Sequence, residues 1–182
     1  MRRTEPRRWR LAVVSVAAAA GALTLSLAPL TPALASIVTT ATGPSMTDNH
    51  GSANIAVAGP DNSLRFYRAV YSTTIWQAET VAGAGTTYSA PSITVNNGGP
   101  NIAAMGTQDY LTFYWAVYGT GTWHAESVAG VGTTFSAPSI TSDGISASIS
   151  AVGAGDQLMF YKAADGTTTW HAVTVAGPGS VG

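Results

Sequence analysis

The sequence predicts an all-β fold of β-propeller blades, built as three four-stranded antiparallel repeats of 47 residues, and three observations carry that prediction. One unit recurs at a fixed step: Leu64-Arg65-Phe66-Tyr67 returns as Leu111-Thr112-Phe113-Tyr114 and again as Leu158-Met159-Phe160-Tyr161. Within each unit, β-branched and aromatic runs are punctuated by Gly, Asn and Asp roughly every ten residues, the signature of strands joined by hairpins. After residue 36 no stretch holds a helical period. The same step links Trp76, Trp123 and Trp170, then Gly59, Gly106 and Gly153, then Pro44, Pro91 and Pro138. The first two repeats are identical at 26 of 47 positions without a gap, which composition alone does not produce.

The second repeat shows the elements in order. Residues 91–95 read as a short strand that ends in the turn Asn96-Asn97-Gly98-Gly99. Residues 101–105 form a second strand, stopped by Gly106-Thr107-Gln108-Asp109. A third covers 111–118, and Gly119-Thr120-Gly121 turns it into a fourth over 122–129. In the third strand Leu111, Phe113, Trp115 and Val117 point one way, while Thr112, Tyr114, Ala116 and Tyr118 point the other. Both faces carry aromatic rings, so the sheet needs cover on both sides. Blades of a propeller, each sandwiched between neighbours, meet that need. A β-sandwich rarely repeats so regularly, and β-solenoid coils are shorter. Asn62, Asp109 and Asp156 each fall three residues after a repeated glycine, where Asn and Asp stabilise reversals through side-chain-to-backbone bonds.

Composition and charge narrow the function. With 46% apolar residues the 182-residue chain is not disordered, and without cysteine it has no disulfide, thiolate nucleophile or thiolate-held zinc. Five of the eight basic residues (Arg2, Arg3, Arg7, Arg8 and Arg10) precede an apolar run over 11–30 and the small-residue motif Ala33-Leu34-Ala35. This reads as a secretory signal peptide over 1–35, with Arg7-Arg8 also permitting twin-arginine export. A short segment over 36–42 and three blades at about 43–89, 90–136 and 137–182 follow. A membrane anchor is the competing reading of the apolar run, but alanine dominates it and Pro29 and Pro32 close it. The remaining cations are Arg65, Arg68 and Lys162, against eight carboxylates. So sparse a set offers no basic stripe to a phosphate backbone, which argues against nucleic acid as a partner.

Each unit reads Ala-Pro-Ser-Ile, a strand, Gly-x-x-Asp/Asn, Leu-x-Phe-Tyr, Gly-Thr-x-x-Trp and a closing Glu-Ser-Val-Ala-Gly, most fully in the second repeat. This pattern resembles the blades of bacterial bangle-type propeller lectins and, more distantly, of tachylectin-like and fucose-binding fungal propellers. The resemblance spans about residues 43–182. It implies a secreted, non-catalytic carbohydrate-binding protein with sites repeated in the grooves between blades. Lectins of that kind close six or seven blades in one chain, whereas three blades leave two outer faces bare. Exposed apolar patches of several hundred Å² are unusual on soluble monomers, so a homodimer making a six-bladed ring is expected.

Catalysis finds little support. His124 and His171 hold equivalent repeat positions, as do Glu79 and Glu126, and equivalent positions are spread around a ring rather than gathered. A glycosidase pair needs carboxylates roughly 5–10 Å apart. No nucleophile elbow, metalloprotease helix or phosphate loop is present, and no cofactor or metal is expected. The candidate ligand residues are aromatic. Sugars show apolar C–H faces rimmed by hydroxyls, and their sites combine an aromatic platform with a few fixed polar groups. Trp76 beside Gln77, Trp123 beside His124 and Trp170 beside His171 offer that pairing once per blade, with Tyr67, Tyr114 and Tyr161 nearby in sequence. Packing between blades also calls for a repeated Trp and Tyr, so a structural or protein-interaction scaffold is the alternative. Arg68, Trp115 and Lys162 share one position yet differ in chemistry, which reads as a solvated or blade-specific rim.

Overall fold

The computed structural model describes residues 43–117, 119–164 and 169–181; the expected signal peptide, the segment over 36–42, Tyr118, residues 165–168 and Gly182 lie outside them. The alternation of the sequence forms three separate four-stranded sheets, each a meander in chain order. The first blade comprises β1 (Ser45–Asn49), β2 (Ser52–Ala58), β3 (Leu64–Ala69) and β4 (Trp76–Ala82). The second comprises β5 (Ser92–Asn96), β6 (Gly99–Met105), β7 (Leu111–Ala116) and β8 (Trp123–Ala129). The third comprises β9 (Ser139–Ser142), β10 (Ala147–Gly153), β11 (Gln157–Ala163) and β12 (Trp170–Ala176). A 3-10 turn, Thr107–Asp109, interrupts the second blade between β6 and β7. Among the described residues no helix is long and apolar enough to cross a membrane.

The repeats agree down to their irregularities. A register shift falls just after Leu64, Leu111 and Leu158, so each third strand carries a bulge at the same place. Asn62, Asp109 and Asp156 take left-handed backbone with φ of 58°, 59° and 58°. Their carbonyls accept the N–H groups of Thr87, Thr134 and Val181, which straps each outgoing connection to its blade. The reversal expected at these positions is there, but the bonds that hold it come from main-chain carbonyls rather than from the Asn and Asp side chains. One turn is tighter than expected. β6 starts at Gly99 because Asn97 and Gly98, at φ of 49° and 74°, close the hairpin alone. Two consecutive left-handed residues are what a two-residue turn between right-twisted strands demands.

The blades stand face to face. The first seam buries Ala56, Leu64 and Phe66 of the first blade against Ile93, Ile102, Ala104 and Tyr114 of the second. The next buries Ala103, Leu111 and Phe113 of the second blade with Ile140, Ala147, Ile149 and Tyr161 of the third. The first strands are stitched alike at both. The N–H of Ile93 donates to Ser45 Oγ and that of Ile140 to Ser92 Oγ, each at 3.1 Å. Asn49 Nδ2 donates to the Gly98 carbonyl and Asn96 Nδ2 to that of Ile145.

The outer faces of the first and third blades expose what the seams cover. Met46 is 69% exposed, where its counterpart Ile93 is 6%. On the third blade Leu158 and Phe160 are half-buried, whereas Leu64 and Leu111 are completely covered.

Candidate functional site

Each internal seam presents a tryptophan of one blade to a phenylalanine of the blade before it. Trp123, first residue of β8, meets Phe66 of β3 edge-on, with ring centroids 5.2 Å apart at 65°. Trp170, first residue of β12, meets Phe113 of β7 at 5.1 Å and 64°. Such edge-to-face pairs satisfy the ring quadrupoles and fix the indole's tilt. Both indoles are half-buried, and Trp123 lines the void of its seam. Among the described residues no blade precedes that of Trp76, which is 47% exposed.

The polar groups then part company. In the first seam Trp123 Nε1 donates to Glu79 Oε2 at 2.9 Å, so one blade's carboxylate holds the other blade's indole. Arg68 donates to Gln77 Oε1 at 2.6 Å and lines the void with Glu79, Trp123 and Asn54. The void is about 20 Å³, room for one water-sized group. Asn54 is completely buried, and neither its Oδ1 nor its Nδ2 has a partner in the protein. Buried amides rarely stay unpaired, so this asparagine asks for a partner inside the seam.

In the second seam Trp115 stands where Arg68 stood. Its ring stacks on His124 at 4.2 Å and 19°, and its Nε1 donates to Glu126 Oε1 at 3.1 Å. Glu126, the counterpart of Glu79, is thus drawn to its own blade, and Trp170 Nε1 is buried without a partner. A cleft of about 570 Å³ opens here, lined among the described residues by Phe113, Trp115, Glu126, Asn96, Asn101 and Ser146. At the third copy of the motif Val173 replaces the glutamate, and Lys162 lies 3.8 Å from Asp143 on an open surface. The N–H groups of Ser146 and Ile145 hold the Asp143 carboxyl below the usual aspartate range, with a smaller push from Lys162.

The sequence-predicted residues separate by blade. Trp123 and Trp170 sit at seams, with Gln77, His124 and His171 exposed beside the tryptophans. Tyr114 and Tyr161 are buried in the two cores, where desolvation raises their phenols above the ordinary tyrosine value. Tyr67 is half-buried on the first blade's open face. Sequence reasoning weighed Glu79 and Glu126 only as a glycosidase pair, and it set Arg68 and Trp115 aside as rim. The four line the seams instead, Arg68 and Glu79 in the first, Trp115 and Glu126 in the second. The available signal was their place on the face of the repeated Phe: Glu79 and Glu126 pair in register with Phe66 and Phe113, and Arg68 and Trp115 lie two residues further along the same strand.

No protein-family profile and no curated protein sequence matches the chain. Solved structures do. The BP39L lectin from Burkholderia pseudomallei superposes with a TM-score of 0.65 at 18% identity, over 75% of this chain and 41% of that one. A mutant of AofleA from Arthrobotrys oligospora, with three arginines changed to alanine, gives 0.59 at 14% identity over 74% and 42%. A fucose lectin from Kordia zhangzhouensis, in complex with methyl-fucoside, gives 0.52 at 13% over 74% of this chain and 100% of that one. The chain spans about two fifths of the length of the first two. It has the fold of these propeller lectins, in three blades that do not close a ring by themselves.

Proposed function

We propose that this chain is a secreted, non-catalytic carbohydrate-binding propeller module whose sites lie in the seams between blades. The observation that carries the reading is the repeated seam itself. A tryptophan fixed edge-on by the preceding blade's phenylalanine shares the mouth with a glutamate that accepts an indole N–H. An apolar ring face next to a charged acceptor suits a sugar, whose C–H face stacks while its hydroxyls donate. At the outer lip of the first seam, above a void too small for a sugar ring, Trp123, Glu79 and Arg68 would contact the glycan from one side, with Gln77 holding the arginine. In the second, Trp170, Trp115 and Glu126 would do so, with His124 and His171 at the rim. The lectin fold of the structural neighbours supports this reading, and the leader-like residues 1–35 support secretion.

Two copies would complete the ring. Met46, Ile55, Val57, Tyr67 and Trp76 on the first blade's open face are the counterparts of Ile93, Ile102, Ala104, Tyr114 and Trp123, which fill the first seam. Leu158 and Phe160 on the third blade match Leu64 and Phe66 opposite them. Trp76 of one copy would then seat on Phe160 of the other, and Met46 N–H would reach Ser139 Oγ. Several weak sites on one rigid ring raise avidity without new contacts.

The bound methyl-fucoside of the Kordia zhangzhouensis lectin makes fucosides the first probe. Retention on fucosyl-agarose or a glycan array is expected, with binding reduced about tenfold or more by Arg68→Ala at unchanged melting temperature. No retention on any glycan surface would overturn the reading in favour of a protein-binding scaffold.

A further inference from the structure

We infer that the cleft between the second and third blades takes an amino sugar, a saccharide carrying a free protonated amine; the inference rests on the carbohydrate reading and narrows it for one seam. At about 570 Å³ the cleft falls in the range of small-molecule sites, roughly 300–1,000 Å³, whereas the first seam admits little more than a water. Its walls are aromatic, Phe113 and Trp115, over the small side chains of Ala116, Ala147 and Ala163.

The polar groups that line it are short of positive charge. Glu126 uses Oε1 on the Trp115 N–H and keeps its second carboxylate oxygen for a ligand. Asn96 has its Nδ2 engaged on the Ile145 carbonyl, while its Oδ1 is buried and unpartnered. The position that supplies a guanidinium in the first seam supplies an indole here. Lys162, the cation of the third blade, is not among the lining residues and lies by Asp143. The cleft therefore offers a carboxylate, a bare carbonyl oxygen and an indole, with no cation among the described lining residues to balance them.

A ligand that brings its own cation fits all three. An ammonium donates charge-assisted hydrogen bonds to Glu126 and to Asn96 Oδ1, and it gains from the negative face of an aromatic ring. His124 covers one face of Trp115, and the indole lines the cleft with what remains. Acetylating the amine removes the charge and two donor hydrogens, and a uronic acid places like charge against Glu126.

The test is calorimetric titration of the full chain with three trisaccharides: glucosamine, N-acetylglucosamine and galacturonic acid oligomers. Methyl-fucoside serves as the probe of the parent reading. The free-amine trimer is expected to bind at least tenfold more tightly than its N-acetyl form, and the acidic trimer more weakly than either. Glu126→Gln is expected to bring the amine down to the level of the acetylated sugar. Trp115→Arg, which installs the first seam's residue, is expected to abolish the preference for the amine even if Glu126→Gln fails to fold. Equal affinity for the amine and N-acetyl trimers, or a preference that survives both substitutions, would overturn the inference. If methyl-fucoside binds and the amine trimer does not, this inference alone falls. If no saccharide binds, the carbohydrate reading falls with it.

Discussion

One 47-residue unit builds both internal seams, yet the first encloses about 20 Å³ and the second opens to about 570 Å³. The apolar layer is the same in each: a leucine and a phenylalanine of one blade under an isoleucine pair and a tyrosine of the next. The difference arises at the lip. Where Arg68 reaches Gln77, Glu79 is left to hold Trp123 across the seam. Where Trp115 stacks on His124, it claims Glu126, and Trp170 loses its acceptor. The repeat thus fixes the frame, and one variable side chain decides whether the carboxylate bridges two blades or stays within one.

The largest expected effect sets a seam against an open face. Leu111→Ala empties a completely buried site and is expected to lower stability by about 2–5 kcal/mol, read as a drop in melting temperature. Leu158→Ala, at the same repeat position on the third blade's open face, is expected to cost much less in an isolated chain. A cost equal to that of Leu111→Ala would show that a second copy covers it. Next comes the indole hydrogen bond. Trp123→Phe keeps a ring against Phe66 but strands Glu79, and about 1–2 kcal/mol of destabilisation is expected in denaturant melts. Trp170→Phe removes an N–H that has no partner, so its cost is expected to be smaller; equal costs would remove the distinction between the seams. The smallest effect is at Asp143, whose carboxyl is held low by backbone N–H groups. A depressed pKa adds stability above the ordinary aspartate range and loses it as pH falls through the folded value. Asp143→Asn is therefore expected to lower the melting temperature slightly at neutral pH and not at all in acid.

The frame was legible because every blade repeats its punctuation. The reversals at Asn62, Asp109 and Asp156 recur at one step and periodicity exposes them, whereas the bulges after Leu64, Leu111 and Leu158 keep the same step but show only in the strand pairing. The β5–β6 hairpin was read as four residues and closes in two, because Asn97-Gly98 supplies both left-handed conformations. The lip was less legible. Arg68 and Trp115 differ in chemistry, which reads as a solvated rim when each blade is considered alone. Their role depends on the next blade's backbone, some 47 residues away. Tyr67 and Tyr114 share one motif but not one burial, since only Tyr114 has a blade in front of it.

The central claim is that glycans are read at the seams, and the indole N–H resonances of a nitrogen-15-labelled sample report on it directly. On titration with a glycan that the protein retains, the signals of Trp123 and of Trp115 or Trp170 are expected to shift with the binding curve. Saturable glycan binding that leaves all three unmoved would place recognition elsewhere on the molecule and contradict the account.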